Sequence, residues 1–164
     1  DMEICLYLAA FGTLRRGECA ALHSDDIEGN VIHINKCMVE DEYDCWTIKT
    51  TKTYSSTRAV ELPQFVIDMI KDKKGRIVHY NPDQITSHFR RCVEASGIEY
   101  IRFHDLRHYS ASIMHAIGVP DQYIMDRGGW SSDNVMKVVY RNVIDIEKAR
   151  QTVKINNYFK DNFG

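Results

Sequence analysis

Residues 102–118 read RFHDLRHYSASIMHAIG and place Arg107 between His104 and His108, with His115 further along. At about 100° per residue, a helix puts these histidines on one side and an apolar row on the other, with Arg107 at the flank. The apolar row is Leu106, Tyr109, Ile113 and Ile117. We expect the apolar row to pack on the core and the histidines to face away from it.

The histidine cluster allows three interpretations: a metal site, a phosphate site or a solvated helix face. His104 and His108 have the i, i+4 spacing of zinc ligands. However, Asp105 stands where zinc hydrolases carry a Glu, and Arg107 would repel the cation. His104 and Arg107 fall in the first helical turn, where free backbone N–H groups and the helix dipole favour an anion, so the Arg fork indicates a phosphate clamp. Solvent exposure is the ordinary fate of His108 and His115.

The composition indicates one globular unit over residues 1–164. Hydrophobic residues make up 44% and charged residues 27%, and no apolar run is long enough to cross a bilayer, so we expect no membrane insertion. The net charge of −2 gives no general support for nucleic-acid binding, so a DNA contact requires basic residues segregated on one surface. The five cysteines contain no C-x-x-C pair, which argues against a disulfide framework and favours a reducing, cytoplasmic setting.

Hydrophobic periodicity predicts a mostly helical chain with one small sheet. Two helices are expected before residue 23 with a break at Gly12 and Thr13, and Pro63 can begin another helix over 64–73. Further helices are predicted over 83–96, 104–117, 120–127 and 132–140 and from 145 onward. The strand-like runs are NVIHIN (30–35), CWTIKT (45–50) and TRAVEL (57–62). The predicted fold class is α+β, predominantly α-helical with a small three-stranded antiparallel sheet.

Several motifs occur in an order that resembles the tyrosine recombinase (phage integrase) family. HDLRH (104–108) is similar to the family's second active-site box, H-x-x-R, and is followed by AIGVP, GGWSS and a Tyr ten residues after the Trp. GTLRRGECAALHSDDI (12–27) resembles the first box, and TKTYSSTRAVELP (51–63) resembles the β-hairpin that carries an active-site Lys. The resemblance spans roughly residues 8–141 and implies the family's catalytic-domain fold. Because the chain begins without Met inside an apolar run, we expect a fragment whose N-terminal DNA-clamping (core-binding) domain is missing.

The resemblance implies a role for each matched residue. Arg15 and Arg107 would grip the non-bridging oxygens of the scissile phosphate, and Tyr140 would be the nucleophile. Lys52, with Lys49 as the alternative, would protonate the departing 5′ oxygen. His104 and Trp130 would add hydrogen bonds to the phosphate, and Glu18 and His108 are expected as accessory residues. The residues expected to face DNA are Lys49, Arg58, Arg90, Arg91 and Arg102, opposite the acidic run 39–44.

The segment RGGWSS (127–132) departs from the family's usual L-G-H-S-S. Trp130 must therefore do the work of a His, and an indole N–H can donate a hydrogen bond but cannot transfer a proton. Each assignment also has an ordinary structural alternative. Arg15 can be an exposed charge after a helix, Lys52 a solvated turn residue, and Tyr140 one of nine tyrosines packed at the edge of the core.

The function that the resemblance implies is site-specific DNA recombination through a 3′-phosphotyrosine, without metal, ATP or another cofactor. We expect an integrase of a prophage or integrative element, acting in the bacterial nucleoid. The alternatives are a Xer-type chromosome-dimer resolvase, a transposon recombinase and, from another class, a catalytically silent DNA-binding module. The expected partners are double-stranded DNA, further copies of the chain in a tetramer and accessory DNA-bending proteins. In relatives, a tail such as 145–164 docks on the neighbouring protomer.

Overall fold

The computed structural model describes residues 1–50, 57–132 and 145–163. Within these ranges the helical prediction is confirmed to within a few residues at most boundaries, although the helix after Pro63 is shorter than expected. The predicted helix over 132–140 lies outside the described residues. The described helices are α1 (Met2–Gly12), α2 (Arg16–Ala21), α3 (Gln64–Asp68), α4 (Pro82–Ser96), α5 (Asp105–Ala116), α6 (Asp121–Gly128) and α7 (Asp145–Phe163), with a 3₁₀ turn at Ser24–Asp26.

The strands form a three-stranded antiparallel sheet and a separate two-stranded hairpin. The sheet has the order β1 (Ile27–Glu28), β2 (Val31–Ile34), β5 (Arg58–Glu61), and the hairpin pairs β3 (Lys36–Glu40) with β4 (Trp46–Thr50). The three-stranded sheet is therefore confirmed, but its membership differs from the prediction because CWTIKT pairs with the strand just before it. The Asp41 carboxylate accepts the backbone N–H groups of Tyr43 and Cys45, and this local turn closes the hairpin.

The apolar core lies between the three-stranded sheet and the helices α1–α4. Ile32 and Ile34 of β2 point inward together with Val60 of β5, as the two-residue period of a strand requires. Leu8 of α1 and Ile85 of α4 are completely buried against them. A second, smaller apolar cluster joins α5 to α6, and it lies beside the site described below.

Most of the predicted apolar face of α5 is wrong, because only Leu106 of its four residues packs against the core. Tyr109, Ile113 and Ile117 are 56%, 40% and 72% exposed, whereas the buried residues of this helix are Arg107, Ser110 and Ala111. The helix therefore turns a guanidinium and two small side chains inward. Two backbone carbonyls and the Glu18 carboxylate hold Arg107 inward, and hydrophobic periodicity does not take such polar partners into account.

The residue after α1, Thr13, places its backbone carbonyl at the site described below. Thr13 follows the helix in the left-handed conformation, with φ 56°, and its buried hydroxyl donates to the carbonyl of Arg127 at 2.9 Å. This bond ties the end of α1 to the end of α6, 114 residues further along the chain. In the described ranges, no helix combines the length and apolar character that a membrane span needs.

Candidate active site

Glu18, near the start of α2, is the centre of a cluster of arginines. It is 3% exposed, and its Oε1 accepts from Arg15 Nη1 at 2.8 Å and from Arg58 Nη1 at 3.1 Å. Its Oε2 accepts from Arg58 Nη2 at 2.9 Å and from the backbone N–H of Arg15 at 2.7 Å. Arg107 Nη1 lies 3.7 Å from the same Oε2. One carboxylate therefore faces three guanidinium groups.

Burial alone would raise the pKa of Glu18, but the hydrogen bonds and charge of Arg58, together with Arg15, reverse this effect and hold the pKa below its ordinary value. Glu18 is therefore ionised wherever the protein is folded near neutral pH. The ionised form is the one that can accept from all of its partners at once.

The C-terminal end of α6 supplies the other acceptors. Each of three successive carbonyls, from residue 127 to residue 129, accepts from a different arginine. The bonds are Arg58 Nε to Arg127 O at 2.9 Å, Arg107 Nη2 to Gly128 O at 2.7 Å and Arg15 Nη2 to Gly129 O at 2.7 Å. Because the last carbonyls of a helix are unpaired and carry the negative end of its dipole, they stabilise a group of cations there.

Arg107 is completely buried. Its Nη1 donates to the carbonyl of Thr13, and its guanidinium carbon lies 5.1 Å from the centre of the Trp130 ring, a cation–π contact. Its Nε finds no hydrogen-bond acceptor in the described part of the chain. Burial, followed by the charge of Arg15, lowers the pKa of Arg107 to about 9, so the group remains a cation at neutral pH. A buried cation with an unused N–H is suited to receive an anion.

The histidines continue the site on the N-terminal part of α5. The rings of His104 and His108 meet edge to face at 4.8 Å, and the ring of His108 lies parallel to that of Trp130 at 6.5 Å. Burial first, then the charge of Arg107, lowers the pKa of His104, and burial likewise lowers the pKa of His108. Both rings are therefore neutral at pH 7, so each can donate from one nitrogen and accept at the other.

Gly128 explains how a Trp fits at position 130. A Cβ atom on Gly128 would lie 2.2 Å from two atoms of the Trp130 ring, far inside van der Waals contact. The indole therefore occupies the space that a side chain at position 128 would need. RGGWSS thus departs from L-G-H-S-S by a pair of linked changes: Trp130 replaces the His, and its large ring requires Gly128 in place of the Leu.

Several predicted site residues come together in the structure. Arg15, Glu18 and Arg107 form one cluster, and Trp130 joins them to the histidines through its contacts with Arg107 and His108. His104 lines a groove with Arg15, and the hairpin β3–β4 forms the far wall of this groove. Lys52 and Tyr140 lie outside the described residues, so their placement remains a prediction.

The prediction that Arg58 faces DNA is wrong. Its side chain is only 4% exposed, and its donors are used by Glu18, Thr13 and Arg127. The signal was present in the sequence: Arg58 and Val60 are two residues apart in a strand, so they must share its buried face.

The role of Arg127 was also missed. Its Nη2 donates to the carbonyls of Phe11 and Glu61 at 2.7 and 2.9 Å and so holds α6 on α1 and β5.

The other predicted DNA-facing residues lie on the surface. Lys49 is exposed on β4, and Arg90, Arg91 and Arg102 are exposed around α4 and the start of α5. Arg90 pairs with Glu94, and Arg102 pairs with Asp105, both at 2.8 Å. Among the residues that the structure describes, no three His, Cys, Asp or Glu side chains are grouped closely enough to hold a metal ion.

The chain belongs to the phage integrase family, whose family model matches residues 3–146. It is 25% identical to a tyrosine recombinase XerC-like protein of Caldanaerobacter subterraneus subsp. tengcongensis, over 94% of this chain and 49% of that protein. It is 34% identical to an integrase of Saccharopolyspora erythraea, over 48% of this chain and 18% of that protein. The chain thus spans less than half the length of either relative.

Solved structures confirm the predicted fold. The Tn1549 transposon integrase in complex with transposon right end DNA superposes with a TM-score of 0.71 at 15% identity, over 93% of this chain and 58% of that one. The XerA recombinase gives a TM-score of 0.70 at 17% identity, over 93% of this chain and 57% of that one. The catalytic domain of bacteriophage HP1 integrase gives a TM-score of 0.62 at 18% identity, over 90% of this chain and 79% of that one. The fold is that of the tyrosine recombinase catalytic domain.

Proposed function

We propose that this chain is the catalytic domain of a site-specific DNA recombinase that cleaves and rejoins strands without metal or ATP. The observation that carries the proposal is the charge balance around Glu18. Three guanidiniums contact one carboxylate, which leaves two positive charges in excess. A phosphodiester carries one negative charge and gains a second when a nucleophile adds to phosphorus, so the excess favours the transition state over the ground state.

The described residues then divide the work at the scissile phosphate. The Arg15 side chain is 35% exposed and can meet a phosphate oxygen directly, while Arg107 is completely buried and has an unused Nε–H. A neutral His104 can relay a proton, and the Trp130 indole N–H can donate a hydrogen bond. Glu18 acts through the arginines that it orients, and His108 acts through its contacts with His104 and Trp130.

The bond-making step belongs to Tyr140. Its phenolic oxygen attacks phosphorus and gives its proton to the neutral His104, the bond from phosphorus to the 5′ oxygen of the next nucleotide breaks, and Lys52 gives that oxygen a proton. The resulting 3′-phosphotyrosine conserves the bond energy, so a 5′ hydroxyl from a partner strand can restore the phosphodiester and release the tyrosine. Because the reaction only exchanges ester bonds, it requires no energy source.

A nicked suicide substrate tests this proposal. The cognate site is first selected from random duplexes. The nick lets the short fragment that carries the new 5′ hydroxyl diffuse away after cleavage, so that the covalent complex accumulates. We expect a protein–DNA band that survives denaturation, is unchanged by EDTA and is absent from Tyr140→Phe. Binding without a covalent band would identify a silent DNA-binding module, and a band that persists in Tyr140→Phe would refute the assignment of the nucleophile.

Within the family, we propose an integrase of a mobile element that acts in the bacterial nucleoid. Relatives include integrases, a XerC-like recombinase and a transposon integrase, so the comparisons support the class more strongly than the subtype. A recombination assay with the full-length protein distinguishes these subtypes. An integrase joins two non-identical sites on separate molecules, whereas a dimer resolvase recombines two copies of the same site.

We propose that the surface around Lys49, Arg90, Arg91 and Arg102 faces the DNA backbone. These side chains are exposed, and the acidic run 39–44 lies at the turn of the β3–β4 hairpin. The slope of log K against log salt is negative, and each phosphate contact that is removed should make it less negative by about 0.9. A charge-removing substitution that leaves the slope unchanged would remove that residue from the interface.

An exposed apolar face on helix α7 supports the proposal that several copies of the chain assemble on DNA. Its described side chains are exposed, and Ile155, Phe159 and Phe163 recur every four residues along one face, 54%, 55% and 79% exposed. We propose that this face docks on a second protomer in a tetramer. The receiving surface is the apolar groove beside α6 lined by Phe11, Ile113, Met114, Val119 and Tyr123. Accessory DNA-bending proteins would act on the DNA between such protomers.

Phe159→Ser tests this contact. If α7 joins protomers, the variant should lose the higher-order complexes seen on DNA by analytical ultracentrifugation while retaining binding of a single protomer. Unchanged assembly of Phe159→Ser on DNA would refute the contact.

A further inference from the structure

Arg58, the first residue of β5, makes more contacts within the active-site cluster than a structural ion pair requires. Its three guanidinium nitrogens reach four acceptors: both oxygens of Glu18, the carbonyl of Thr13 at 3.3 Å and the carbonyl of Arg127 at 2.9 Å. The side chain is 4% exposed and each of its three guanidinium nitrogens already donates to an acceptor in the protein, which leaves none unused for DNA. It joins the ends of α1 and α6 to the start of α2.

Two of these acceptors are shared with the arginines that would hold the phosphate. Glu18 Oε1 accepts from Arg58 and also from Arg15. The Thr13 carbonyl accepts from Arg58 and also from Arg107. The guanidinium of Arg58 therefore has an acceptor in common with the guanidinium of each of them. A movement of Arg58 must change the position or the hydrogen bonding of Arg15 and Arg107 together.

We propose that Arg58 is a positioning residue for phosphoryl transfer, which fixes Arg15 and Arg107 in one relative geometry by holding the acceptors that they share with it. The inference rests on the proposed function, because it assigns a task within the same site. Phosphate recognition by two arginine forks depends on their relative angle and separation, and a misplacement of about 1 Å can cost roughly 100-fold in rate.

Lysine at position 58 separates geometry from charge. An ammonium group keeps the positive charge beside Glu18 but places its donors at one point, so it cannot span Glu18 and two carbonyls on different helices. If Arg58 only neutralised Glu18, Arg58→Lys would cleave DNA at the wild-type rate. If Arg58 positions the clamp, we expect the single-turnover cleavage rate at saturating DNA to fall by about 10–100-fold.

The salt dependence of DNA binding provides a readout that a direct phosphate contact would change. A positioning role predicts that Arg58→Lys and Arg58→Met retain the wild-type slope of log K against log salt. The matched control is Arg91→Met, which removes an exposed arginine and should make the negative slope less steep by about 0.9. A change of similar size in Arg58→Met would show that Arg58 contacts DNA, and it would overturn the proposal.

A measurement on the wild-type chain keeps the proposal testable if the variants unfold. Arginine Nε–H resonances are followed by ¹⁵N NMR while a duplex carrying the cognate site is added. We expect the resonances of Arg15 and Arg107 to shift and that of Arg58 to stay in place and remain protected from exchange with solvent. A shift of Arg58 as large as that of Arg15 would refute the positioning role.

These outcomes distinguish the inference from the proposed function. If the wild-type chain forms no covalent complex with cognate DNA, the proposed function fails, whatever Arg58 does. If the wild-type chain forms the complex and Arg58→Lys forms it equally fast, the positioning role fails and the proposed function stands.

Discussion

Alanine at position 128 provides the most direct test of how the site accommodates a tryptophan. The new methyl group would lie 2.2 Å from Cε3 and Cζ3 of Trp130. The ring has little freedom to move aside, because Trp130 is 9% exposed and its ring lies against the guanidinium of Arg107. The backbone is also held, because the N–H of Trp130 donates to the carbonyl of Met125 at 3.0 Å. Gly128 does not have a positive φ, so alanine meets no backbone penalty there.

The expected change in the free energy of unfolding combines two opposing contributions. Overpacking a buried site costs about 1–3 kcal/mol, and such a close approach belongs to the upper part of that range. Replacing a helical glycine with alanine returns about 1 kcal/mol. We therefore expect Gly128→Ala to lower the free energy of unfolding by about 1–2 kcal/mol, measured by urea denaturation with an unchanged m-value. Displacement of the indole from Arg107 should also slow formation of the covalent DNA complex.

Histidine at position 130 is the matched control. An imidazole is smaller than an indole, so alanine at 128 should be tolerated in Trp130→His. The double variant should therefore be more stable than the sum of the two single changes by about 1–2 kcal/mol, an interaction energy expected for residues in contact. The steric argument is wrong if alanine costs the same in both backgrounds, or if it costs nothing in the wild-type chain.

The remaining predictions concern the buried charges and histidines. Glu18→Gln leaves three arginines without a carboxylate, so we expect a loss of about 3–5 kcal/mol in the free energy of unfolding by urea titration, and a wild-type midpoint would contradict this. Arg127→Met removes two charge-assisted bonds to carbonyls and should cost about 1.5–3 kcal/mol, whereas Arg76→Met, whose bonds are to its own loop, should cost less. The lowered pKa of His108 means that the unfolded chain binds more protons, so stability should fall as the pH drops below 6.5. His108→Gln should reduce this fall in thermal unfolding measured from pH 7.5 to pH 5.5, and an identical pH profile would exclude His108 as its source.

The sequence predicted the helices well where boundary signals are local. The helix predicted over 83–96 begins at Pro82, and the structure shows the reciprocal bonds of a capping box between Asn81 and Gln84, at 2.8 and 2.9 Å. Gly97 ends the helix with φ 70°. These signals operate over three or four residues, so the remainder of the fold does not affect them.

The inward face of α5 could not be found in the same way. Hydrophobic periodicity assumes that buried residues are apolar, but Arg107 is the largest fully buried side chain in the described part of the protein. Its acceptors belong to residue 13 and residue 128, so the stabilising contacts become visible only when three distant segments are brought together. Arg58 was misplaced for a related reason, because its charge was given more weight than its strand period.

The arrangement of acceptors stabilises the cluster and leaves it with an excess of positive charge. If each arginine had its own carboxylate, the site would be neutral and a phosphate would have to displace an ion pair. Instead, one carboxylate and the carbonyls of two helix ends satisfy the N–H groups, while the carbonyls carry only partial charge. The hydrogen-bonding requirement of the arginines is therefore largely met, but their charge is not balanced. Under the proposed function, replacing a carbonyl acceptor with a second carboxylate would strengthen the cluster and weaken phosphate binding, so we expect folding stability and phosphate affinity to change in opposite directions.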